Sequence, residues 1–365
     1  MIISSSMKLG LDVRILSVSE QLTGVPSYVF RLAQYLIANR PEQSVLFSDR
    51  PSGLISSRVV HSLGRIPWQQ SALPVAAMKM KIDVFHGPGY GLPIWGTFRK
   101  VVTIHDLTFI KHPEWMDDSV LRYLKWIVPL SVRVADAIIV PSEEIQNDLA
   151  EAYPRIPKDV ISVIPMGSDF ADVPMDTNAH SSFERPYILH VGTIEPRKNL
   201  ETLVQAFTEL TVEEKVPHAL VLIGKIGWKS DRLTNAINSS PVRHRIHVIG
   251  YVNDIELEQW YRGADLYVQA SHYEGFAIAT LDAYCLGLPI VATRTGWISS
   301  LVDDDIGWVN APFDVTEMAA AIKKIVMAGT SPRSALSRAR LKWTWGRSMA
   351  AHMRLYCQLA ALRNC

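Results

Sequence analysis

Two acidic side chains with an uncharged stretch between them suggest a ligand site. Residues 271–282 read SHYEGFAIATLD, in which seven small or apolar residues separate Glu274 from Asp282. The stretch follows the strand-like segment ADLYVQAS, and a helix is predicted to start near Ala277. Because parallel sheets bind ligands at the carboxyl ends of their strands, a binding turn is expected here, with Gly275 permitting close approach. The alternative is that Glu274 caps the helix and Asp282 lies on its polar face.

Two adjacent cations form a second candidate site. Residues 190–207 read HVGTIEPRKNLETLVQAF, a strand followed by a helix, and Arg197 and Lys198 lie where the helix is predicted to start. Positive charges at a helix N-terminus oppose the helix dipole unless an anion binds there. A diphosphate meets this requirement, since lysine supplies a point charge and arginine a two-pronged donor. The alternative is a surface pair neutralised by Glu195 and Glu201.

A histidine and an aspartate, His105 and Asp106, end the strand of the segment KVVTIHDLTFIKHPEW. Either His105 hydrogen-bonds a bound sugar, or Asp106 orients it as in an acid–base pair, or the two are purely structural. His86 and His112 are too loosely placed to predict a metal site. Gly24, in QLTGVPSY, lies between a strand and a helix, but a single glycine is a weak signal for a phosphate-binding loop.

Length and composition restrict the class of protein. A chain of 365 residues is long enough for two domains, and a net charge of +1 gives no reason to expect nucleic acid as a partner. The three cysteines (Cys285, Cys357 and Cys365) form no CxxC pair, so neither a disulfide framework nor a zinc knuckle is expected. No apolar run reaches the roughly 20 residues of a spanning helix. A cytoplasmic location fits these features.

The C-terminal part of the chain is one-sidedly basic. No acidic residue follows Glu317, whereas nine basic residues do: Lys323, Lys324, Arg333, Arg338, Arg340, Lys342, Arg347, Arg354 and Arg363. One interpretation is a pair of amphipathic helices whose charges face water. The other is a surface that contacts anionic lipid headgroups or a pyrophosphate-bearing acceptor, which predicts peripheral contact with the cytoplasmic face of the inner membrane.

The hydropathy pattern predicts a doubly wound α/β fold. Short β-branched runs alternate with amphipathic stretches, and the runs have almost no polar alternation, which is typical of strands buried in a parallel sheet. The predicted strands are LGLDVRILSV, SVLFSD, IDVFHG, KVVTIHD, DAIIVPS, VISVIPMG, YILHVGT, HALVLIGK, RIHVIGYV, ADLYVQAS and LPIVATRT. Polar residues 171–186 interrupt the pattern and predict a linker. Domains are therefore expected at 1–170 and 187–343, followed by a C-terminal helix at 344–365.

Taken together, these stretches resemble the retaining glycosyltransferases of family 4. The resemblance covers nearly the whole chain and rests on TGVPSYVFRL, VVTIHDLTFIKHPEW, VPSEEIQNDL, GTIEPRKNLETLVQAF, GYVNDIELEQWYRGADLYVQAS and SHYEGFAIATLDAYCLGLPIVAT. It implies the GT-B fold, in which two Rossmann-like domains face each other across a cleft and a C-terminal helix returns to the N-terminal domain. It also implies sugar transfer from a nucleotide-sugar with retention at the anomeric carbon, without a bound metal or other cofactor.

The resemblance implies roles for the candidate residues. Glu274 matches the first acid of the family's E-x7-E motif, which contacts the donor hexose. Asp282 lies at the second acid, which usually holds the ribose and is normally a glutamate. Lys198 matches the lysine that binds the donor diphosphate, and His105 matches an N-terminal-domain histidine that touches the transferred sugar. The predicted catalytic set is His105, Arg197, Lys198 and Glu274.

Further donor contacts follow from the same resemblance. The backbone after Gly275 would meet the sugar hydroxyls, and residues 250–252 would lie near the nucleobase. The family often has arginine after the glycine of the phosphate strand; here that residue is Thr193, and Arg197 is expected to supply the charge instead. The predicted donor-binding residues are Gly24, Thr193, Gly250, Tyr251, Val252, Gly275, Phe276, Ala277, Ile278 and Asp282.

Within the family, VVTIHDLTFIKHPEW and GTIEPRKN are most similar to bacterial mannosyltransferases that build exopolysaccharide or O-antigen repeat units. The predicted reaction is therefore mannosyl transfer from GDP-mannose to a lipid-linked or oligosaccharide acceptor. Other transferases on the same fold would use UDP-glucose, UDP-GlcNAc or dTDP-rhamnose. A nucleotide-sugar epimerase or hydrolase, and an inactive sugar-nucleotide-binding protein, are the alternatives outside transfer.

Overall fold

The alternating pattern of the sequence folds into two parallel β-sheets, each covered by helices. The structure is a computed structural model and describes residues 7–19, 21–173, 183, 186–300, 306–309, 313–328 and 339–362. One unit contains Met1–Met166 together with Trp345–Cys365, and the other contains Gly167–Thr344. The predicted linker, 171–186, is described only at residues 171–173, 183 and 186.

Seven strands form the sheet of the first unit. They are β1 (Leu9–Asp12), β2 (Ser44–Ser48), β3 (Arg58–Val59), β4 (Val84–Gly87), β5 (Arg99–Thr103), β6 (Ala137–Val140) and β7 (Ile161–Val163). All neighbours are parallel, in the order β3-β2-β1-β4-β5-β6-β7. In the register of the central strands, Leu9 lies opposite both Ser44 and Val84. Because the strand order reverses beside β1, the carboxyl ends of β1 and β4 border a crevice of the kind that binds ligands in such sheets.

Helices connect the strands of the first unit. They are α1 (Val25–Asn39), α2 (Arg65–Pro67), α3 (Leu73–Lys79), α4 (Thr108–Lys111), α5 (Asp118–Val134) and α6 (Glu143–Ala152). Val29, Leu32 and Leu36 recur on one face of α1 and are buried, as expected for a helix packed on a sheet. Asp117 and Ser142 start α5 and α6 by accepting hydrogen bonds from backbone N–H groups, which satisfies donors that a helix N-terminus leaves open.

Six strands form the sheet of the second unit. They are β8 (Tyr187–Val191), β9 (Ala219–Ile223), β10 (Ile246–Gly250), β11 (Leu266–Gln269), β12 (Ile290–Thr293) and β13 (Ile306–Val309). The parallel order β10-β9-β8-β11-β12-β13 corresponds to the 3-2-1-4-5-6 order of Rossmann folds. The predicted fold class is confirmed, and all eleven predicted strands are present. The sequence did not predict β3 and β13.

Helices cover the second sheet and bury its apolar side chains. They are α7 (Leu200–Glu214), α8 (Asp231–Ser239), α9 (Asp254–Gly263), α10 (Ile278–Cys285) and α11 (Val315–Ala328). Leu203 and Phe207 of α7 and Ile322 of α11 belong to the same buried cluster as Leu220 of β9 and Val268 of β11. This packing fixes the strands whose carboxyl ends carry the candidate site.

The last helix, α12 (Trp345–Ala361), belongs to the first unit, which confirms the predicted return of the C-terminal helix. A chain of buried hydrogen bonds joins it to that unit's sheet and to α1. The bonded pairs are Tyr356 with His86 (2.7 Å), His86 with Thr103 (2.8 Å), Thr103 with Tyr28 (3.0 Å), Tyr28 with His352 (2.7 Å), and His352 with the carbonyl of Ser348 (2.8 Å).

The hydrogen bonds of this chain have one direction. The carbonyl oxygen of Ser348 can only accept, so Nδ1 of His352 donates and its Nε2 accepts from Tyr28. Burial lowers the pKa of His352 to about 4, which keeps the imidazole neutral. The hydroxyl of Tyr28 therefore accepts from Thr103. Thr103 in turn accepts from Nε2 of His86, and Nδ1 of His86 accepts from the hydroxyl of Tyr356. Each of the side chains joined by these hydrogen bonds therefore has a partner, as buried polar groups require.

Candidate donor-binding site

The loops that follow β8 and β11 carry half of the predicted catalytic and donor-binding residues. These loops, residues 192–199 and 270–277, start from neighbouring strands at the point where the strand order reverses. They are tied together by a hydrogen bond from the backbone N–H of His272 to the carbonyl of Arg197, at 3.0 Å. Doubly wound sheets bind ligands at this position, so the fold places the two predicted motifs in one ligand-binding region.

Glu274 is buried, and its carboxylate accepts hydrogen bonds from three side chains. Lys198 Nζ and Ser271 Oγ lie 2.6 Å and 2.7 Å from Oε1, and Arg197 Nη1 lies 2.5 Å from Oε2. Burial alone would raise the pKa of this carboxyl, but Arg197, Lys198 and the Ser271 hydroxyl lower it to about 2. Glu274 is therefore an anion at neutral pH. It binds the two predicted cations instead of capping the following helix.

The two cations are held by carboxylates of the protein. Arg197 also donates to Glu195, with Nη2 at 2.6 Å and Nε at 3.1 Å from Oε1. The side chains of Glu195, Arg197 and Lys198 are only 8%, 19% and 12% exposed, so these charges do not lie on the surface, although Glu195 does neutralise Arg197 as the surface-pair interpretation expected. Both cations lie in a 3-10 turn, Pro196–Lys198, two residues before α7 begins. Their charges are thus balanced before any ligand is bound.

Two residues in these loops have left-handed backbone conformations. Asn199 has φ 53° and Ala277 has φ 58°. Asparagine tolerates this region, and the Asn199 side chain donates to the carbonyl of Ala270 at 3.1 Å. Ala277 is the residue before α10 and makes no side-chain cap. The left-handed conformation costs alanine about 1–2 kcal/mol, so the surrounding structure imposes the shape of this turn.

The predicted nucleobase residues lie at the same edge of the sheet, two strands from β8. Gly250 ends β10 with φ 87°, and its carbonyl accepts from the N–H of Gly224 at 2.9 Å. Tyr251 is exposed and Val252 is half-buried. Asn253 then starts α9 with a capping box, which fixes the direction in which the chain leaves this edge.

Asp282 and Thr193, the two departures from the family pattern, have defined surroundings. Asp282 lies in α10, and its Oδ1 accepts a hydrogen bond from Ser168 Oγ at 2.6 Å. Thr193 lies two residues after the end of β8, and its methyl group would lie 2.9 Å from a Cβ added to Gly227. Ser168 thus orients the acid to which the resemblance gives the ribose, a role that the sequence did not indicate.

His105 and Gly24 belong to the first unit. Nε2 of His105 lies 2.7 Å from the carbonyl oxygen of Pro88, so Nε2 carries the proton and Nδ1 is an acceptor. Nδ1 is buried, and among the described residues it has no hydrogen-bond partner. Burial lowers the pKa of His105, which keeps the ring neutral. Since Nε2 bonds Pro88 and Nδ1 has no partner among the described residues, Asp106 does not orient His105 as an acid–base pair would require; Asp106 instead accepts from the hydroxyl of Tyr90 at 2.8 Å.

Gly24 precedes α1 with φ 58° and ψ −121°, a conformation that essentially only glycine adopts. A Cβ added there would meet no atom within 4 Å. The backbone conformation, rather than a close contact, therefore explains the glycine.

The described residues contain no group of three or more histidine, cysteine, aspartate or glutamate side chains that could hold a metal ion. His86 lies in the buried hydrogen-bond chain described above. His112 stacks on Trp115 with ring centroids 3.9 Å apart and lies 3.4 Å from Glu114.

Part of the basic C-terminal region is described. Lys323 forms an ion pair with Glu214 at 2.7 Å, and Arg340 donates to the carbonyl of Val173 at 2.7 Å. Arg333, Arg338 and Arg363 lie outside the described residues. In the part of the chain that the structure covers, no helix has both the length and the apolar character needed to cross a membrane.

Sequence reasoning missed several side chains that complete the site. Ser271 bonds Glu274 from within the same motif, three positions earlier. His190 lies buried on β8 beside the glycine of the phosphate strand. Both occur in the quoted motifs, but the sequence does not distinguish them there from other polar residues.

Family models match both halves of the chain. The model of glycosyltransferase family 4 matches residues 22–172, and that of the glycosyl transferases group 1 matches residues 176–342. The two glycosyltransferase models together match most of the chain, family 4 in its first half and group 1 in its second. The resemblance of the sequence motifs is thereby confirmed, and the Glu274 cluster is the candidate donor site of this glycosyltransferase.

Individual relatives agree with this family. Over 246 residues the glycosyltransferase is 30% identical to O-antigen chain mannosyltransferase B of Escherichia coli, covering 66% of this chain and 64% of that protein. Over 242 residues it is 26% identical to glycogen synthase of Mycobacterium tuberculosis, covering 66% and 56%. It therefore spans less than two thirds of the length of either relative. The structure of sucrose-phosphate synthase from Thermosynechococcus elongatus has the same fold, with a TM-score of 0.75, 19% identity and coverage of 98% and 100%.

Proposed function

We propose that this glycosyltransferase moves a hexose from a nucleotide-sugar to a carbohydrate acceptor with retention at the anomeric carbon and without a metal ion. The observation that carries the proposal is the buried Glu274 carboxylate, held between Arg197 and Lys198 where the strand order of a Rossmann-like sheet reverses. A buried anion beside two cations can bind sugar hydroxyls and phosphate oxygens side by side.

Arg197 and Lys198 would bind the diphosphate of the donor. As the glycosidic bond to the diphosphate breaks, negative charge develops on the leaving phosphate oxygens. Cations that are already fixed in a partly buried site stabilise this charge without reorganisation. Lys198 has three N–H donors, and its bond to Glu274 uses one of them. The ammonium therefore has the capacity to bind phosphate oxygens while it stays attached to the protein.

Glu274 would accept hydrogen bonds from the hexose. A carboxylate offers about four lone-pair sites, and three of them are used by Lys198, Ser271 and Arg197. With a pKa lowered to about 2, below the ordinary range because of the two cations, it does not act as a general acid at neutral pH. Its proposed role is to orient the sugar and to hold the cations.

In the first unit, His105 would offer a contact to a sugar hydroxyl. Its Nδ1 is a buried acceptor, and among the described residues it has no partner, so it suits a hydroxyl donor of a ligand. The bond from Nε2 to the carbonyl of Pro88 fixes the ring in this tautomer. His105 is therefore proposed to bind a sugar hydroxyl and not to remove a proton.

The proposed donor is GDP-mannose, because the O-antigen relative at 30% identity is a mannosyltransferase. The match to a glycogen synthase at 26% identity supports a glucose donor as the alternative. The proposed acceptor is a lipid-linked or free oligosaccharide of surface-polysaccharide synthesis. The basic C-terminal residues would favour peripheral contact with an anionic membrane surface.

A binding screen followed by a turnover assay tests the proposal. Calorimetry with GDP, UDP and dTDP identifies the base, and donor consumption is then measured with and without oligosaccharide acceptors. Transfer requires acceptor, whereas hydrolysis does not. Lys198→Ala is expected to lower transfer at least tenfold, while the surface variant Lys323→Ala is expected to keep the wild-type rate.

The stereochemical and metal assignments have their own measurements. Proton NMR of the first product should show the anomeric configuration of the donor. EDTA is expected to leave the rate unchanged, and strong inhibition would contradict the metal-independent mechanism. Wild-type transfer by Lys198→Ala would refute the diphosphate assignment.

A further inference from the structure

His190 has a buried nitrogen atom for which the described residues offer no partner. The residue lies on β8 and is 1% exposed. Its Nδ1 lies 2.9 Å from the carbonyl oxygen of Val268, which can only accept, so Nδ1 carries the proton and Nε2 carries a lone pair. Within the described part of the chain, Nε2 forms no hydrogen bond. Such a buried acceptor costs free energy and calls for an explanation.

The ring of His190 is held in place. It stacks on the ring of Tyr267, with centroids 6.3 Å apart and planes 14° apart. Together with the bond from Nδ1 to Val268, this contact fixes the direction of Nε2. The unsatisfied lone pair is therefore a fixed feature of the site and not one of several orientations of the ring.

Nε2 faces the same small space as the ammonium of Lys198. A Cβ added to Gly192 would lie 3.3 Å from His190 Nε2, 3.2 Å from Lys198 Cε and 3.5 Å from Lys198 Nζ. Both nitrogen atoms thus lie within 3.5 Å of the position that a Cβ of Gly192 would take. Any side chain at that position would occupy the space between them, so the glycine keeps their approach open.

Burial keeps the imidazole of His190 neutral. Burial lowers its pKa to about 4, and Lys198 acts in the same direction, whereas the bond to Val268 and the charge of Glu274 oppose the shift. A neutral imidazole with a free lone pair is a suitable acceptor for an ammonium N–H. A protonated ring would instead repel the neighbouring ammonium.

We propose that His190 is a positioning residue for Lys198, whose ammonium donates to Nε2 of His190 when a nucleoside diphosphate binds. This inference rests on the proposed function, because it takes the diphosphate as the ligand of Lys198. With one N–H directed to Glu274 and a second to His190, the third N–H has a fixed direction toward the phosphate oxygens. The same bond satisfies the buried lone pair of His190 Nε2 in the bound state.

Two substitutions distinguish the contribution of Nδ1 from that of Nε2. In His190→Asn the amide nitrogen takes approximately the place of Nδ1 and keeps the bond to Val268, but no atom replaces Nε2. In His190→Gln an amide oxygen lies close to the place of Nε2. Calorimetry of the full chain with GDP and UDP is expected to give a Kd at least fivefold weaker for His190→Asn. His190→Gln is expected to bind within twofold of the wild type.

The controls distinguish this role from a structural one. Equal Kd values for all three proteins, or equal weakening in both variants, would overturn the positioning role. If Lys198→Ala also binds like the wild type, the diphosphate site itself is wrong. If Lys198→Ala binds weakly while His190→Asn does not, only the inference about His190 fails.

A measurement on the wild-type protein does not depend on how the variants fold. In protein labelled with ¹⁵N-histidine, addition of GDP or UDP at saturation should shift the Nε2 resonance of His190 in the direction of a hydrogen-bonded acceptor. The resonance is assigned by its loss in His190→Gln. An Nε2 resonance unchanged on saturation would overturn the proposal.

Discussion

The ammonium of Lys198 lies 2.6 Å from the carboxylate of Glu274, although the two residues are 76 positions apart in the sequence. The pair joins the loops after β8 and β11, which are neighbours in the second sheet. Its side chains are 12% and 5% exposed, so water screens the interaction little. The strand order of the sheet, rather than proximity in sequence, therefore assembles the candidate site.

Glu274 should make the free energy of unfolding depend on pH in the acidic range. The cations lower its pKa from 4.5 to about 2, so its stabilising effect is complete above about pH 4.5 and is lost as pH falls toward 2. The shift corresponds to about 3 kcal/mol. Glu274→Gln is therefore expected to unfold about 3 kcal/mol more easily than the wild type at pH 7, with the difference shrinking as pH falls toward 2. Urea unfolding at a series of pH values measures this.

Glu213 provides a matched control for that experiment. It lies exposed on α7, so Glu213→Gln should change the unfolding free energy by less than about 0.5 kcal/mol at every pH. If Glu274→Gln and the wild type gave parallel curves between pH 5 and 2, the carboxylate would not be the anion that holds Arg197 and Lys198.

Replacing Ala277 with glycine should stabilise the folded protein. Its left-handed backbone costs about 1–2 kcal/mol, whereas glycine pays about 0.4–1 kcal/mol through its more flexible unfolded state. Ala277→Gly is therefore expected to stabilise the protein by about 0.5 kcal/mol or more. Ala279→Gly, inside α10, should instead destabilise it by about 1 kcal/mol. Thermal and urea unfolding of the two variants should show opposite signs, and destabilisation by both would contradict the strain at Ala277.

Tyr28 is the central link of the buried hydrogen-bond chain. Tyr28→Phe removes the hydroxyl that donates to His352 and accepts from Thr103, which leaves two buried polar groups without that partner. Loss of about 2 kcal/mol or more in unfolding free energy is expected. Tyr35→Phe, on the same helix but half-exposed, should have an effect below about 0.5 kcal/mol. Similar losses in both variants would mean that the chain contributes nothing specific.

Asp282 can be tested through the sugar of the nucleotide. If its carboxylate holds the ribose, Asp282→Ala should bind a ribonucleoside diphosphate at least fivefold more weakly. It should also lose the preference of the wild type for the ribonucleotide over its 2′,3′-dideoxy form. Ser168→Ala removes the hydroxyl that orients Asp282 and should give a smaller effect of the same kind. Calorimetry gives the ratios directly, and a preserved preference in Asp282→Ala would assign the ribose to another residue.

The fold could be predicted because its strands are short, apolar and buried on both faces. The missed strand β3 has only two residues, Arg58–Val59, too few to produce a period. The predicted strand LGLDVRILSV was too long, since β1 ends at Asp12 and Arg14–Ser17 form a 3-10 turn. Apolar character continues through such a turn, and pattern alone does not mark where a strand ends.

The candidate site was predictable in its residues but not in its contacts. Glu274 and Lys198 stood out by their motifs, yet the helix-cap interpretation of Glu274 was wrong, and the surface-pair interpretation was right only in pairing Arg197 with Glu195. The decisive fact, that the two charges neutralise each other, depends on β8 and β11 being neighbours. Ser271 and His190 could not be ranked above other polar residues, because burial and partner atoms decide their roles.

The position of α12 has a consequence for synthesis of the protein. Tyr28 and His86 receive their partners, His352 and Tyr356, from a helix at the far end of the chain. Residues 167–344 are translated in between, which takes on the order of ten seconds or more at about 5–20 residues per second. The first unit therefore leaves the ribosome first, but its buried hydrogen-bond chain is completed last. Until α12 is synthesised, the partly folded first unit must avoid aggregation.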